Sequence, residues 1–320
     1  MNLHPHSTAI NWGTDAMLTE KQVAYIKISL SMVIVGSSVV AGKVLVESLP
    51  VFLTSEIRFL LATLILIPLL IRREGIPSLT KQELSLLFLQ AVSGVFLFSI
   101  FMLYGLKLTT AIEGGIITST LPAIVAILAF LFLKETPSRL TIVSMTLAIL
   151  GTLCIHMGSL FFEDNRGSDP VLGNLLILAA IIGEATFILC GKQLSKKVTP
   201  LTMSTAVSLF GAILFFPLAL YDLQRVSLRA ISLLDWGVLI YFGVIVTVIA
   251  FILMYEGVEK VPANQVGVLT SILPISTVIL SFFILKERLY WFHLIAIVFV
   301  LMAIYITSKD SNSTHSDLSK

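Results

Sequence analysis

Thr118–Glu135 reads TSTLPAIVAILAFLFLKE, and Thr270–Glu287 reads TSILPISTVILSFFILKE. The offset between them is constant, since 270 − 118, 274 − 122 and 287 − 135 all equal 152. Each copy is an apolar run long enough for a membrane helix, opened by a Thr-Ser pair, interrupted by proline and closed by Lys-Glu. Other pieces recur at nearly the same distance. Gly42–Lys43 matches Gly191–Lys192, Pro50 matches Pro200, and Gly105, Ala111 and Gly115 match Gly257, Ala263 and Gly267. The in-register polar residues mark a duplication rather than a coincidence of low-complexity apolar sequence.

Composition sets the environment of both copies. The 320 residues are 57% hydrophobic and 12% charged, against roughly 25% charged in a soluble domain. The charges cluster between long apolar runs, the pattern of a polytopic membrane protein. No soluble stretch is large enough to fold alone, which excludes an appended enzyme domain. A net charge of +2 gives no basis for nucleic-acid binding. Cys154 and Cys190 both fall inside predicted spans and read as small packing residues, not a disulfide. The first twenty residues lack the basic-then-apolar order of a cleaved leader, so the first span is expected to act as an uncleaved insertion signal.

Apolar runs and their polar breaks predict an all-α integral membrane fold with ten transmembrane helices. They fall near 23–46, 51–71, 84–106, 112–133, 140–162, 171–194, 201–221, 236–255, 266–285 and 289–307. The domain reading follows: a tail over 1–22, a first five-helix repeat over 23–162, a linker over 163–170, a second repeat over 171–307 and a polar, unstructured tail over 308–320. Thirteen Lys and Arg fall on the side of the two tails, seven on the other side, and Arg58 lies within a span. The positive-inside tendency therefore expects both termini in the cytoplasm of a cell (plasma or inner) membrane.

The two copies occupy the fourth and ninth spans. Five spans separate equivalent points, and an odd number inverts the second copy relative to the first. Inverted repeats are the signature of secondary transporters, in which exchanging the conformations of the halves gives alternating access. On the Arg of EIRFLLA (Arg58), the paired Leu-Pro motifs and the LKE endings, the chain resembles the drug/metabolite transporter superfamily, in its ten-helix EamA-type branch, along about residues 25–307. The resemblance implies export of amino acids, metabolites or toxic compounds without ATP. It also marks a departure: where relatives often carry Trp near the middle of the first helix of each half, this chain has Val35 and Glu184.

Candidate path residues follow from what is costly in hydrocarbon. Glu184 stands near the centre of the sixth span with no charged residue within seven positions. An ionised carboxylate there costs roughly 2.5–3.5 kcal/mol on insertion scales, so a proton-exchanging role and a neutral packing role both stand open. The family's smaller multidrug antiporters resemble this arrangement in using a first-helix glutamate. Arg58 keeps its proton and needs a carboxylate, carbonyls or water; Glu56, two residues away, points to another side of the helix. Arg58 is expected to bind a substrate carboxylate, to form a gate with Glu184, or to snorkel to the interface. Pro122 and Pro274 read as mid-helix breaks that free the carbonyls of Thr118 and Thr270. Ser119 and Ser271 add hydroxyls on the same turns, either lining a central site or bonding back to their own helices.

Tyr104 and Tyr255 close the third and eighth spans, as aromatic partners for substrate or as interface residues. Lys43, Glu47 and Lys107 read as interface anchors, and Glu113 as a carboxylate complementing a helix start. The five histidines are scattered without metal spacing, and no Walker A sequence occurs. No cofactor, metal or catalytic residue is expected. The functional expectation is a secondary active transporter exporting a small amino-acid-like metabolite or an organic cation, with protons as coupling ion and the lipid bilayer as surroundings, working as a monomer or homodimer. The alternative is a passive channel or facilitator.

Overall fold

The computed structural model describes residues 20–133, 139–161, 167–194, 197–226, 228, 231–260, 269–270 and 272–317. Among the described residues every regular element is helical and no strand occurs. In chain order the helices are α1 (Glu20–Ser48), α2 (Val51–Arg73), α3 (Lys81–Leu108), α4 (Ala111–Thr118), α5 (Leu121–Leu133), α6 (Arg139–Phe161), α7 (Pro170–Leu194), α8 (Pro200–Leu223), α9 (Leu233–Lys260), α10 (Ile272–Leu285) and α11 (Trp291–Asp317).

Helix ends fall where the chain places caps and prolines. Thr80 and Glu83 form a reciprocal capping box at the start of α3, satisfying two amides that have no partner inside the helix. Thr199 caps α8 and Pro200 takes its first position, where a missing N–H costs nothing. α11 runs on to Asp317, ten residues past the predicted end of the tenth span. No proline or glycine follows Trp291 to stop it, so the helix continues into the predicted tail as far as Asp317.

Six helices, α1, α2, α3, α7, α8 and α9, are long and apolar enough to cross a membrane. α4 and α5 together make a seventh, bent by 42°. Shorter apolar stretches lie in α6, α10 and α11, at the places predicted for the fifth, ninth and tenth spans. The described residues thus carry six clear spans, seven with the bent pair.

The main helix contacts join the two halves: α1 with α9 and α10, α3 and α5 with α7, α2 with α8, and α6 with α11. Exchanging the predicted halves maps this set onto itself. α3 carries a π-helical stretch at Val92–Leu97 and α9 one at Tyr241–Ile249; adding 152 to the first gives 244–249, inside the second. Pro68 and Pro217 likewise sit inside α2 and α8, tolerated where neighbouring helices compensate the freed backbone groups.

The largest buried cluster, including Leu45, Leu106, Ile112, Ile177 and Leu239, fills the space between α1, α3, α4, α7 and α9. Large apolar side chains such as Leu64, Phe132, Ile213 and Phe283 stay exposed, the outer surface that a bilayer requires.

Packing is close where α3 meets α7. A Cβ on Gly105 would lie 2.6 Å from Ile177 Cγ1 and 2.8 Å from the Gly173 carbonyl oxygen. Gly105→Ala should therefore destabilise the protein by about 1–3 kcal/mol, read as a lowered melting temperature in detergent. Gly237→Ala, with open space around the new Cβ, should instead stabilise by about 0.5–1 kcal/mol.

Candidate transport site

A small cavity lies between α1, α2, α3, α4, α7, α9 and α10. Its volume is about 30 Å³, room for about two water molecules and too little for an amino acid. Arg58, Glu184 and Thr118 all line it, beside Ser38, Ser99, Met102 and Phe242. The two charged residues singled out in the sequence, 126 positions apart (184 − 58), therefore meet in one place. Val35, paired with Glu184 in the sequence as the middle of the first helix of each half, lines the same cavity.

Arg58 is buried, with 7% of its surface exposed, and does not snorkel to an interface. Its Nε donates to Thr247 Oγ1 at 2.7 Å. Its guanidinium carbon lies 4.3 Å from the centroid of the Phe242 ring and 4.9 Å from that of Phe59, an aromatic sandwich that attracts a desolvated cation. The π-helical stretch of α9 supplies two of these partners, and Thr247 Oγ1 bonds back to the Phe242 carbonyl five residues earlier at 2.9 Å. No carboxylate pairs with Arg58 among the described residues. Glu56, though buried on the same helix, leaves one carboxylate oxygen without a hydrogen bond, as its two-residue spacing from Arg58 implies. Glu184 is half-buried and has no ion pair or hydrogen bond among the described residues. The gate expected between Arg58 and Glu184 is not formed as an ion pair.

The proline breaks differ from the expectation. The fourth span is interrupted at Ser119–Thr120, so Pro122 is the second residue of α5, and Pro274 is the third residue of α10. In a first helical turn the proline removes no ladder bond. The Thr270 carbonyl accepts from the Leu273 amide at 3.1 Å. Thr118 Oγ1 donates to the Gly115 carbonyl at 2.6 Å, and Ser119 Oγ bonds the Ile116 carbonyl, so these hydroxyls turn back to their own helix. Ser271 lies outside the described residues. Tyr104 packs edge-on against Phe52, and the Tyr255 hydroxyl accepts from Gln90 Nε2 at 3.2 Å; neither lines the cavity.

Two further features escaped the sequence reading. Lys43, expected as an interface anchor, turns inward to carbonyls of the α3 C-terminus. At the opposite end of the molecule a cleft of about 640 Å³ opens between the C-terminal ends of α2 and α9 and the start of α8, flanked by Arg73, Glu74, Lys197, Glu256 and Glu259. Thr247 and Phe242 carried only one signal in the sequence, their place in the span equivalent to the third.

The profile of the EamA-like transporter family matches residues 22–157 and 171–309, one match on each half. The chain belongs to the EamA-like transporter family. It is 45% identical over 295 residues to an uncharacterized transporter, YetK, of Bacillus subtilis (strain 168), covering 91% of this chain and 88% of the relative. It is 24% identical over 319 residues to the WAT1-related protein At3g30340 of Arabidopsis thaliana, covering 89% and 88% of the two chains. A solved crystal structure superposes with a TM-score of 0.62 over 91% of this chain and 98% of that one, at 15% identity, a likeness of fold. The protein is thus a multi-pass membrane protein of a transporter family.

The Thr247 bond gives the site a direct test. Thr247→Val keeps the shape but removes the acceptor of a charged donor, so it should cost about 1.5–3 kcal/mol of stability, seen as a lower melting temperature in detergent. An unchanged melting temperature would mean that Arg58 finds an equal partner elsewhere.

Proposed function

We propose that this family member is a secondary active transporter that exports a small amino-acid-like metabolite or an organic cation in exchange for protons. The observation that carries the reading is the cavity itself: Arg58 and Glu184 line one small space and neither has an ionic partner among the described residues. Uncompensated charge in a membrane interior is costly and marks an ion or substrate path.

The chemistry follows from the two groups. Arg58 stays charged and is held rigidly, so it serves as a fixed counter-charge for a carboxylate. Glu184 exchanges a proton for a cationic group: bound proton and bound ammonium neutralise the same carboxylate and exclude each other. That competition is the minimum requirement for antiport. A zwitterion satisfies both residues, and an organic cation satisfies Glu184 alone.

A cavity of about 30 Å³ supports alternating access over an open pore. In this reading the ten spans form two inverted five-helix halves that rock about the central site. Both termini lie in the cytoplasm, the protein sits in the plasma or inner membrane, and one chain supplies both halves, whether alone or in a homodimer. The self-mapping helix contacts and the matched π-helical stretches favour this arrangement.

The test is a metabolite profile of the medium from cells overproducing the protein, with and without a proton uncoupler. Enrichment of a polar metabolite over control cells that collapses with the uncoupler is the expected result. Enrichment that survives it would favour a facilitator, and no enrichment would contradict export.

A further inference from the structure

The end of the molecule opposite the cleft is held shut by charge from both halves. Glu287, in the turn between α10 and α11, accepts the amides of Ala111 and Ile112 on its two carboxylate oxygens, each at 2.8 Å. These are the first two residues of α4, whose N–H groups have no partner inside the helix. Lys43 of α1 donates to the Leu106 and Thr109 carbonyls, both at 2.8 Å, at the end of α3. An anion thus meets a helix start and a cation a helix end, each complementing the local dipole.

A second, buried layer lies behind this pair. Glu113, fully buried, accepts from Asn174 Nδ2 at 2.6 Å and from Thr109 Oγ1 at 3.1 Å. His293 Nε2 lies 3.6 Å from its other oxygen. The Tyr290 amide donates to His293 Nδ1 at 3.2 Å, so the neutral ring carries its proton on Nε2, toward Glu113. The two layers tie α4 of the first half to α7, α11 and the α10–α11 turn of the second, while Lys43 joins α1 to the end of α3 within the first half.

Position along the helices relates this seal to the cavity. Asn174 lies ten residues before Glu184 on α7, about 15 Å at the helical rise. On α2 the cleft residues Leu69 and Arg73 lie eleven and fifteen residues beyond Arg58, about 16–22 Å in the other direction. The cavity therefore sits between a sealed end and a clefted end. α4 spans the gap: Glu287 holds its first turn, while its last residue, Thr118, lines the cavity, next to the break at Ser119–Thr120.

We propose that Glu287 is the latch of the gate at the sealed end, and that the cavity opens to that face when Glu287 leaves the start of α4. This rests on the alternating-access reading above. The latch is built to release as well as to hold. Glu287 reaches α4 through a left-handed turn at Lys286, φ 54°, which a non-glycine residue adopts at a cost. Burial pushes the Glu287 carboxyl above the usual carboxylate range, and the two amides and Lys43 offset this only in part. Withdrawal therefore relaxes the turn and rehydrates the carboxylate, against the loss of two charge-assisted hydrogen bonds.

The test reads access to the cavity. In a background with Cys154 and Cys190 replaced by Ala, Ser99→Cys supplies a cavity thiol, labelled by a membrane-impermeant thiol reagent in right-side-out and in inside-out vesicles. With Glu287 intact the thiol should react preferentially from the cleft face. Glu287→Gln, which sets an amide donor against the α4 amides, should shift the preference several-fold toward the latch face. Lys286→Gly, which keeps the carboxylate and relaxes the turn, should retain the original preference. Variants are compared at matched membrane level and melting temperature, so loss of fold does not enter. An unchanged preference in Glu287→Gln, or an equal shift in Lys286→Gly, overturns the latch. Export is measured separately: export with access indifferent to Glu287 rejects the latch alone, and Glu287-dependent access without export rejects the transport reading alone.

Discussion

A guanidinium that cannot readily shed its charge, buried in the middle of a membrane protein, is the constraint around which this structure is arranged. Arg58 stands on an otherwise apolar stretch of α2, where hydrocarbon offers it nothing. The protein answers with two aromatic faces and one hydroxyl, and with no carboxylate among the described residues. Supplying Phe242 and Thr247 together requires the widened π-helical turn of α9, in which Thr247 reaches the carbonyl five residues back. π-helical turns of this kind occur frequently at functional sites. The cavity, the π-helical stretch and the unpaired Glu184 all lie around that one charge.

The same economy appears at the broken fourth span. Splitting a helix inside a membrane exposes amides and carbonyls that lipid cannot satisfy. At Thr118–Thr120 the side-chain hydroxyls bond back to carbonyls one turn earlier. At the start of α4 Thr110 Oγ1 caps the Glu113 amide, and the first two amides take the Glu287 carboxylate from the other half of the molecule. One end of α4 is thus satisfied locally and the other in part by a contact between halves. That asymmetry couples the relative position of the halves to the segment that lines the cavity.

The helical class, the positions of the six clear spans and the unusual placement of Arg58 and Glu184 were legible in the sequence, because each depends on transfer cost along a single stretch. A run of apolar residues is costly in water, and an isolated Glu184 or Arg58 is costly in lipid, whatever surrounds it. The 152-residue offset was legible too, and exchanging the halves it marks maps the main helix contacts onto one another. Pairing information was not legible. Spacing showed that Glu56 could not reach Arg58, but could not show that Thr247 would. Pro122 looked like a mid-helix kink, because the break at Ser119–Thr120 depends on three consecutive hydroxyl residues competing for helix carbonyls. Lys43 looked like an interface anchor and His293 like an isolated histidine, since their partners lie 63 and more positions away.

The measurement that most directly tests the account is a comparison of exported metabolites between cells making the parent protein and cells making Glu184→Gln at equal membrane level. Glutamine preserves the size and packing of the side chain but cannot exchange a proton. The account predicts a compound enriched in the medium by the parent protein and not by the variant. Equal enrichment by both would contradict it, leaving Glu184 as a packing residue and placing the transport site elsewhere.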